Sequence, residues 1–374
     1  MLRALGAKLP MIDAAELVIH GVGLRGLKAP TRTLECANSG TTARLIAGIV
    51  AASPFAATFA GDVSLSQRPM RRIAAPLEAM GARVELLAHG GLPMKVHGGS
   101  LRGITWRSEV ASAQVKSAIL LAGVIGDVPV EIEEPAPSRD HTERMLRARG
   151  VDVRSEGATT SLVPRGRLDA ADTEVPGDPS SAAFLAGLAA LGGAGTEGLA
   201  ITNVGVNPAR AGAFRALVRM GAALRYEGQT EQGGEPVATI VAAPGALRGI
   251  TIDADEVPSL IDELPLLACV AARATGETRV TGAAELRVKE SDRIRAIVEN
   301  LRAIGADAEE LPDGFIVRGS ARALRGRVVT RGDHRIAMAF GVLAALAGNL
   351  ITIDDPSCVA VSYPNFWDDL KGLR

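Results

Sequence analysis

The chain has 374 residues, with 41 Lys and Arg against 42 Asp and Glu, for a formal net charge of −1. That balance argues against a nucleic-acid-binding or membrane-surface protein, which carries a basic bias, and 11 aromatic residues are too few for base-stacking platforms. A hydrophobic fraction of 47% with 42 Gly and 20 Pro is a globular composition, long enough for two or three domains. Cys36, Cys269 and Cys358 form no C-x-x-C pair. They suggest neither a zinc site nor a disulfide framework, and they fit a reducing, cytoplasmic setting. The longest apolar runs, such as residues 182–195, fall short of a membrane span, and residues 1–11 do not make a signal peptide.

In chain order, two kinds of helix are predicted to alternate. Met1-Leu2-Arg3-Ala4-Leu5-Gly6 reads as the tail of an amphipathic helix. Asn38-Ser39-Gly40-Thr41-Thr42-Ala43-Arg44 is a polar start leading into an Ala/Leu-rich helix over 45–52. An amphipathic helix over 72–80 follows, closed by Gly81 and succeeded by an alternating strand at 83–86. The pattern then recurs. Ser112-Ala113-Gln114 leads into 115–124, and a helix over 142–149 is closed by Gly150 before a strand at 151–154. Asp178-Pro179-Ser180-Ser181 leads into 182–191, followed by a helix over 211–220 and Gly221. Asp262-Glu263 leads into 264–272, followed by a helix over 292–304 and Gly305. Asp333-His334-Arg335 leads into 336–347, and 365–370 before Lys371-Gly372 is the last amphipathic copy. Asn, Ser or Asp stands where an N-cap belongs, and Gly where the helix ends.

The polar starts lie 66 to 84 residues apart, so this is an internal repeat. Six amphipathic copies accompany five apolar ones, and the period places the opening half-unit of the first copy ahead of Met1. Six copies divide into two domains of three, expected at 1–177 and 178–374, with turn chemistry at Val175-Pro176-Gly177-Asp178-Pro179.

Several helix starts suit anions, because free N–H groups and the helix dipole favour negative charge there. At the start over residues 38–42, Gly40 lets an anion approach the backbone; Ser112-Ala113-Gln114 is a second such start. Cations recur nearby: Arg68, Arg71 and Arg72 around one helix entry, Arg335 at another, and Lys289 and Arg293 spaced four apart as on one helical face. Taken singly, each is explained by a solvated face or a salt bridge, such as Glu290 with Arg293. Together they point to an anionic ligand, since cations at helix N-termini are locally unfavourable. Asp262 and Glu290 are candidate acids and bases, although an N-cap and an ion pair would also explain them. His20, His89 and His97 look incidental, whereas His141 and His334 lie within the motifs. There is no H-E-x-x-H, Walker A, G-x-S-x-G or Rossmann fingerprint, and nothing calls for a metal or a cofactor.

With these residues in view, the chain resembles the 5-enolpyruvylshikimate-3-phosphate synthases (3-phosphoshikimate 1-carboxyvinyltransferases) over essentially its whole length. The resemblance rests on the stretch from Asn38 to Arg44, Ser66-Gln67-Arg68-Pro69-Met70, Ala111-Ser112-Ala113-Gln114-Val115-Lys116-Ser117 and Ser138-Arg139-Asp140-His141-Thr142-Glu143. Ile261-Asp262-Glu263, Arg287-Val288-Lys289-Glu290-Ser291-Asp292-Arg293 and Gly332-Asp333-His334-Arg335 complete it. It implies a two-domain inside-out α/β barrel, the enolpyruvyl transferase fold, built from repeated βαβαββ units with the first unit incomplete. It also implies transfer of the enolpyruvyl group of phosphoenolpyruvate to the 5-hydroxyl of shikimate 3-phosphate, by a monomer acting on small molecules without a cofactor.

By the same resemblance, Ser112, Ala113 (through its backbone), Gln114, Ser138, Asp262, Glu285 and Lys289 hold shikimate 3-phosphate. Gly40, Arg68, Gln114, Arg293 and Arg335 hold phosphoenolpyruvate. Asp262 takes the proton of the 5-hydroxyl, and Glu290 serves the enolpyruvyl methylene. Glu285 stands where some relatives use Asn, and Val361 where some carry a phosphoenolpyruvate-binding Lys. The family's opening Lys-Ser-x-Ser-x-Arg stretch has no counterpart here. That leaves a catalytically impaired remnant that only binds ligand as one alternative reading. A sister enzyme with a UDP-N-acetylglucosamine acceptor is the other, although the loop over 61–67 lacks the Cys usual in that family.

Overall fold

A computed structural model describes residues 1–9 and 18–373. Its contacts divide the chain into two compact units, Met1–Asp172 and Thr173–Arg374. The turn segment expected at the boundary lies just inside the second unit. The N–H of Gly177 donates to the carbonyl of Asn203 (2.6 Å), which ties this segment to the second unit's first long strand.

The first unit contains β1 (Leu34–Glu35), α1 (Gly40–Ala51), β2 (Ala56–Ala60), α2 (Val63–Gln67), α3 (Arg71–Met80), β3 (Arg83–Leu86) and β4 (Met94–His97). These are followed by β5 (Ile104–Arg107), α4 (Ala113–Gly126), β6 (Val130–Glu133), α5 (His141–Arg147), β7 (Asp152–Glu156) and β8 (Thr159–Val163). The sheets run β1-β2-β4-β3 and β5-β6-β8-β7, each with one parallel pair followed by two antiparallel ones.

The second unit contains α6 (Pro179–Ala190), β9 (Leu199–Gly205), α7 (Gly212–Met220), β10 (Ala223–Gln232) and β11 (Glu235–Ala243). Next come β12 (Thr251–Ile252), α8 (Leu264–Ala271), β13 (Glu277–Val280), α9 (Arg293–Ala303), β14 (Asp307–Leu311) and β15 (Gly314–Arg318). The chain continues through β16 (Arg325–Val328), α10 (His334–Ala345), β17 (Leu350–Ile353) and α11 (Phe366–Gly372). The order β12-β13-β15-β14 repeats the earlier pattern, and Gly177, bridged in parallel to Val204, stands before β9-β11-β10 as the same first strand. The repeated unit is therefore strand, helix, strand, helix, hairpin. The short 3-10 helix Leu2–Leu5 and the antiparallel bridge Lys8↔His20 occupy the amphipathic-helix and hairpin positions of the first copy.

The two helix classes differ in burial for a physical reason. In α4 the buried positions run almost continuously from Val115 to Val124, and all eight residues of α8 are buried. A helix that is apolar all round belongs inside. In α3 and α7 only one face is buried, and each ends on a left-handed glycine, Gly81 (φ 113°) or Gly221 (φ 102°). The inner helices pack closely in the first unit. A Cβ on Gly48 of α1 would lie 2.2 Å from the carbonyl oxygen of Ala118 in α4, so only glycine fits there. A largely buried helix presents little but its ends, which makes the polar N-terminal turns of α4, α6, α8 and α10 natural places for chemistry, and the half-buried α1 opens on a polar turn of the same kind. Among the described residues, no helix is long and apolar enough to cross a membrane.

Candidate functional site

In the first unit the residues gather at the starts of α1 and α4. The Ser39 hydroxyl caps α1 by accepting from the Thr42 N–H (3.1 Å), which leaves Gly40 as the first helical residue. A Cβ on Gly40 would sit 3.1 Å from Nη1 of Arg44 and 3.5 Å from Nη1 of Arg68, so two guanidinium groups converge on this turn. Arg68 donates to Oδ1 of Asn38 (3.0 Å), and Asn38 donates to Asp62 (2.6 Å), the cap of α2. Arg44 donates to Oε1 of Gln114, whose amide donates to Thr41 (2.7 Å). Gly40, Arg68 and Gln114, predicted to act together, are thus neighbours, with Arg44 as a further cation among them.

Ser112 is the N-cap residue of α4, but its hydroxyl makes no capping bond. Its backbone N–H instead donates to Oε1 of Glu134 (2.8 Å), while the Ser138 hydroxyl donates to Oε2 of the same carboxylate (2.7 Å). Ala113 is the first residue of the helix.

In the second unit the 3-10 turn Ile261–Glu263 delivers Asp262 into a group of cations. Its Oδ1 lies 3.3 Å from both Nζ of Lys289 and Nη1 of Arg293, and its Oδ2 lies 3.8 Å from Nη1 of Arg210. An N-cap role for Asp262 is therefore set aside, since Glu263 stands at the cap of α8. Arg293 is 1% exposed and also holds Glu290 (2.6 Å) and both oxygens of Asp333 (2.8 and 3.2 Å). The expectation that Lys289 and Arg293 share a helical face fails. Asp292 accepts from the Arg295 N–H (3.1 Å) and caps α9, so the helix begins at Arg293 and Lys289 lies outside it. The two cations meet on Asp262 all the same. Glu285 is exposed on the turn Ala284–Val288 that leads to Lys289. Val361 is exposed on the turn Pro356–Val361.

Arg335 is the second residue of α10, which Asp333 caps by accepting from the Arg335 N–H (2.9 Å). Its guanidinium lies 3.4 Å from Glu263 and 6.0 Å from the centroid of the Phe184 ring. Glu263 is buried and also accepts from the Ser180 hydroxyl, to which Arg210 donates (2.7 Å). Arg210, Ser180 and Glu134 are further members of these clusters that no motif points to, and Glu263 stands out in the sequence only as the carboxylate beside Asp262 at a helix start. The only local trace is that Ser180 and Glu263 fall in polar helix starts.

The electrostatics follow from these contacts. Burial alone would raise Asp333, but Arg293 and its hydrogen bonds outweigh it and hold the carboxyl below the usual aspartate range. Burial, with Arg335 beside it, lowers His334, so that imidazole is neutral near pH 7. Carboxylates already engage the arginines here, so an arriving anion would exchange with internal partners and not meet bare charge.

A family model described as EPSP synthase (3-phosphoshikimate 1-carboxyvinyltransferase) matches residues 1–370. The 3-phosphoshikimate 1-carboxyvinyltransferase of Syntrophomonas wolfei is 46% identical over all of this chain and 87% of its own length. That of Acidithiobacillus ferrooxidans is 49% identical over 97% of this chain and 83% of its own. Among solved structures, an EPSP synthase from Acinetobacter baumannii superposes with a TM-score of 0.85 at 44% identity, covering 99% of this chain and 85% of that one. An enolpyruvyl transferase from Streptomyces tendae shares the fold, with a TM-score of 0.71 at 20% identity over 99% of this chain and 84% of that one. The charged helix starts of both units thus stand in a chain that belongs to the EPSP synthase (3-phosphoshikimate 1-carboxyvinyltransferase) family.

Proposed function

We propose that the chain carries out its family's reaction. The enolpyruvyl group of phosphoenolpyruvate moves onto the 5-hydroxyl of shikimate 3-phosphate and phosphate is released, a step toward chorismate and the aromatic amino acids. The observation that supports this best is the Asp262 carboxylate set among Arg210, Lys289 and Arg293, with Glu290 on the same arginine. Two carboxylates beside cations suited to phosphate and carboxylate ligands support a reading in which each has its own duty.

In this reading Ser112, the backbone of Ala113, Gln114, Ser138, Glu285 and Lys289 hold shikimate 3-phosphate, with Asp262 on its 5-hydroxyl. Gly40, Arg68, Gln114, Arg293 and Arg335 hold phosphoenolpyruvate. Asp262 takes the hydroxyl proton as the oxygen bonds to C2 of phosphoenolpyruvate, while Glu290 protonates the C3 methylene to give a tetrahedral intermediate. Glu290 then recovers a proton from that methyl group as the C2–O bond to phosphate breaks. The enzyme works as a monomer in the cytoplasm on these two small molecules.

The test is phosphate release by the purified chain. Release should require phosphoenolpyruvate and shikimate 3-phosphate together, and should not occur when UDP-N-acetylglucosamine replaces the second. Release with either substrate alone, or none with both, would overturn the reading.

A further inference from the structure

One buried ionic group in the first unit has no part in the scheme above. Lys116, in the first turn of α4, is 4% exposed. Its ammonium lies 2.9 Å from Oε2 of Glu134 and 2.8 Å from Oε1 of Glu143, with the carbonyl of Ser138 at 3.4 Å. Both carboxylates are almost fully buried as well, with side chains 2% and 1% exposed. Desolvation opposes the Lys116 charge, but the two carboxylates outweigh it and keep the ammonium protonated. A buried lysine with two glutamates is a costly device for stability alone, since apolar residues of similar size would often serve as well.

The contacts show what the group holds. Glu134 follows β6 and spends one oxygen on the backbone N–H of Ser112 and the other on the hydroxyl of Ser138. Those serines lie 26 positions apart, one at the start of α4 and one in the loop before α5. One carboxylate therefore accepts from both, so the Ser112 N–H and the Ser138 hydroxyl converge on a single anionic group, as two donors to one phosphate must. Lys116 fixes that carboxylate, and Glu143 in α5 fixes Lys116. The arrangement also supplies a mechanism of exchange. Ser138 has one hydroxyl proton, so donating it to a ligand means withdrawing it from Glu134. Lys116 already sits on that same oxygen and keeps it satisfied.

We propose that Glu134 is a positioning residue for the acceptor phosphate, a carboxylate that holds Ser112 and Ser138 at phosphate-binding distance and is itself held by buried Lys116. The proposal rests on the reading of Ser112 and Ser138 as residues that hold shikimate 3-phosphate. Preorganised donors of this kind lose affinity when their support is loosened, even if they remain in place.

Glu134→Gln tests it, because the amide nitrogen cannot accept and one serine is released. Calorimetric titration should show shikimate 3-phosphate binding at least 10-fold weaker, with its KM raised in parallel. The KM for phosphoenolpyruvate should move less than 2-fold, and kcat at saturation less than 3-fold. A residue that only supports the fold would lower the melting temperature or the active fraction without this one-substrate effect. Glu134→Asp retains the charge opposite Lys116, so it remains informative if the amide variant does not fold. Its shorter arm cannot span both serines, and it should show the same selective loss. If both variants bind shikimate 3-phosphate within 2-fold of the parent while the double substitution Ser112→Ala, Ser138→Ala weakens it, Glu134 has no positioning role. If the double substitution also leaves binding unchanged, the serine reading fails first.

Discussion

Asp333 offers the sharpest test of the charge network in the second unit. Its side chain is 0% exposed and makes four contacts: two with Arg293, one with the Ser291 hydroxyl (2.9 Å) and one with the Arg335 N–H. Asp333→Asn keeps the shape and one acceptor oxygen but removes the charge opposite a buried guanidinium. Breaking a buried pair on one side costs about 3–5 kcal/mol; Glu290 and Asp262 stay on Arg293 and bring the loss toward the lower figure, still a large fraction of the ~5–15 kcal/mol that holds a domain folded. Urea unfolding can read this locally, because one of the two tryptophans, Trp367, packs against Gly341 of the helix that Asp333 caps. In a Trp106→Phe background, Trp367 fluorescence reports on the second unit. The pH dependence carries a definite sign. The folded carboxyl titrates below its unfolded value of about 3.9, so its stabilisation is complete above that pH and is lost as pH falls through the folded pKa. The gap between parent and variant should hold from pH 7 to about 5, then narrow by ~1.4 kcal/mol for each unit below about 3.9. A gap under ~1 kcal/mol at pH 7, against the 3–5 expected for a buried pair, or one that widens toward acid, would refute the reasoning.

Three further outcomes follow from the same geometry. Asp262→Asn should lower kcat by about 10²-fold or more, the usual share of a positioned base, with shikimate 3-phosphate affinity by calorimetry within a few-fold of the parent. Gly40→Ala puts a methyl group 3.1 Å from Arg44 and 3.5 Å from Arg68. The displaced guanidinium groups should raise the KM for phosphoenolpyruvate by roughly 10-fold, about 1.4 kcal/mol, with thermal stability unchanged. Ser39→Ala removes the α1 cap and should cost about 1 kcal/mol, read as a melting shift of roughly 2–4 °C for the first unit.

What the sequence disclosed, and what it hid, follows from the range of the interactions. The alternating helices were legible because apolar faces, polar caps and closing glycines are local signals; Gly81 and Gly221 end α3 and α7 where expected. Asp262, Lys289, Glu290 and Arg293 fall in motifs that the family resemblance groups together, but helical spacing does not explain why Lys289 and Arg293 meet. Their spacing of four suggested a helix, whereas the Asp292 cap starts the helix only at Arg293. Arg210 could not be found by pattern, because its partners Asp178 and Ser180 lie 32 and 30 residues away. Glu263 is further still from Ser180, at 83 residues. Glu134 likewise reads as one acid in an acidic run, and only the fold brings it to Ser112, 22 residues earlier.

In the proposed reaction phosphoenolpyruvate loses its phosphate by breakage at carbon, because the acceptor's own 5-hydroxyl supplies the new ether oxygen. Phosphoenolpyruvate carrying ¹⁸O in the bridging position, turned over with shikimate 3-phosphate, tests this directly. The label should leave with inorganic phosphate; unlabelled phosphate would mean that the P–O bond is cut, and would contradict enolpyruvyl transfer.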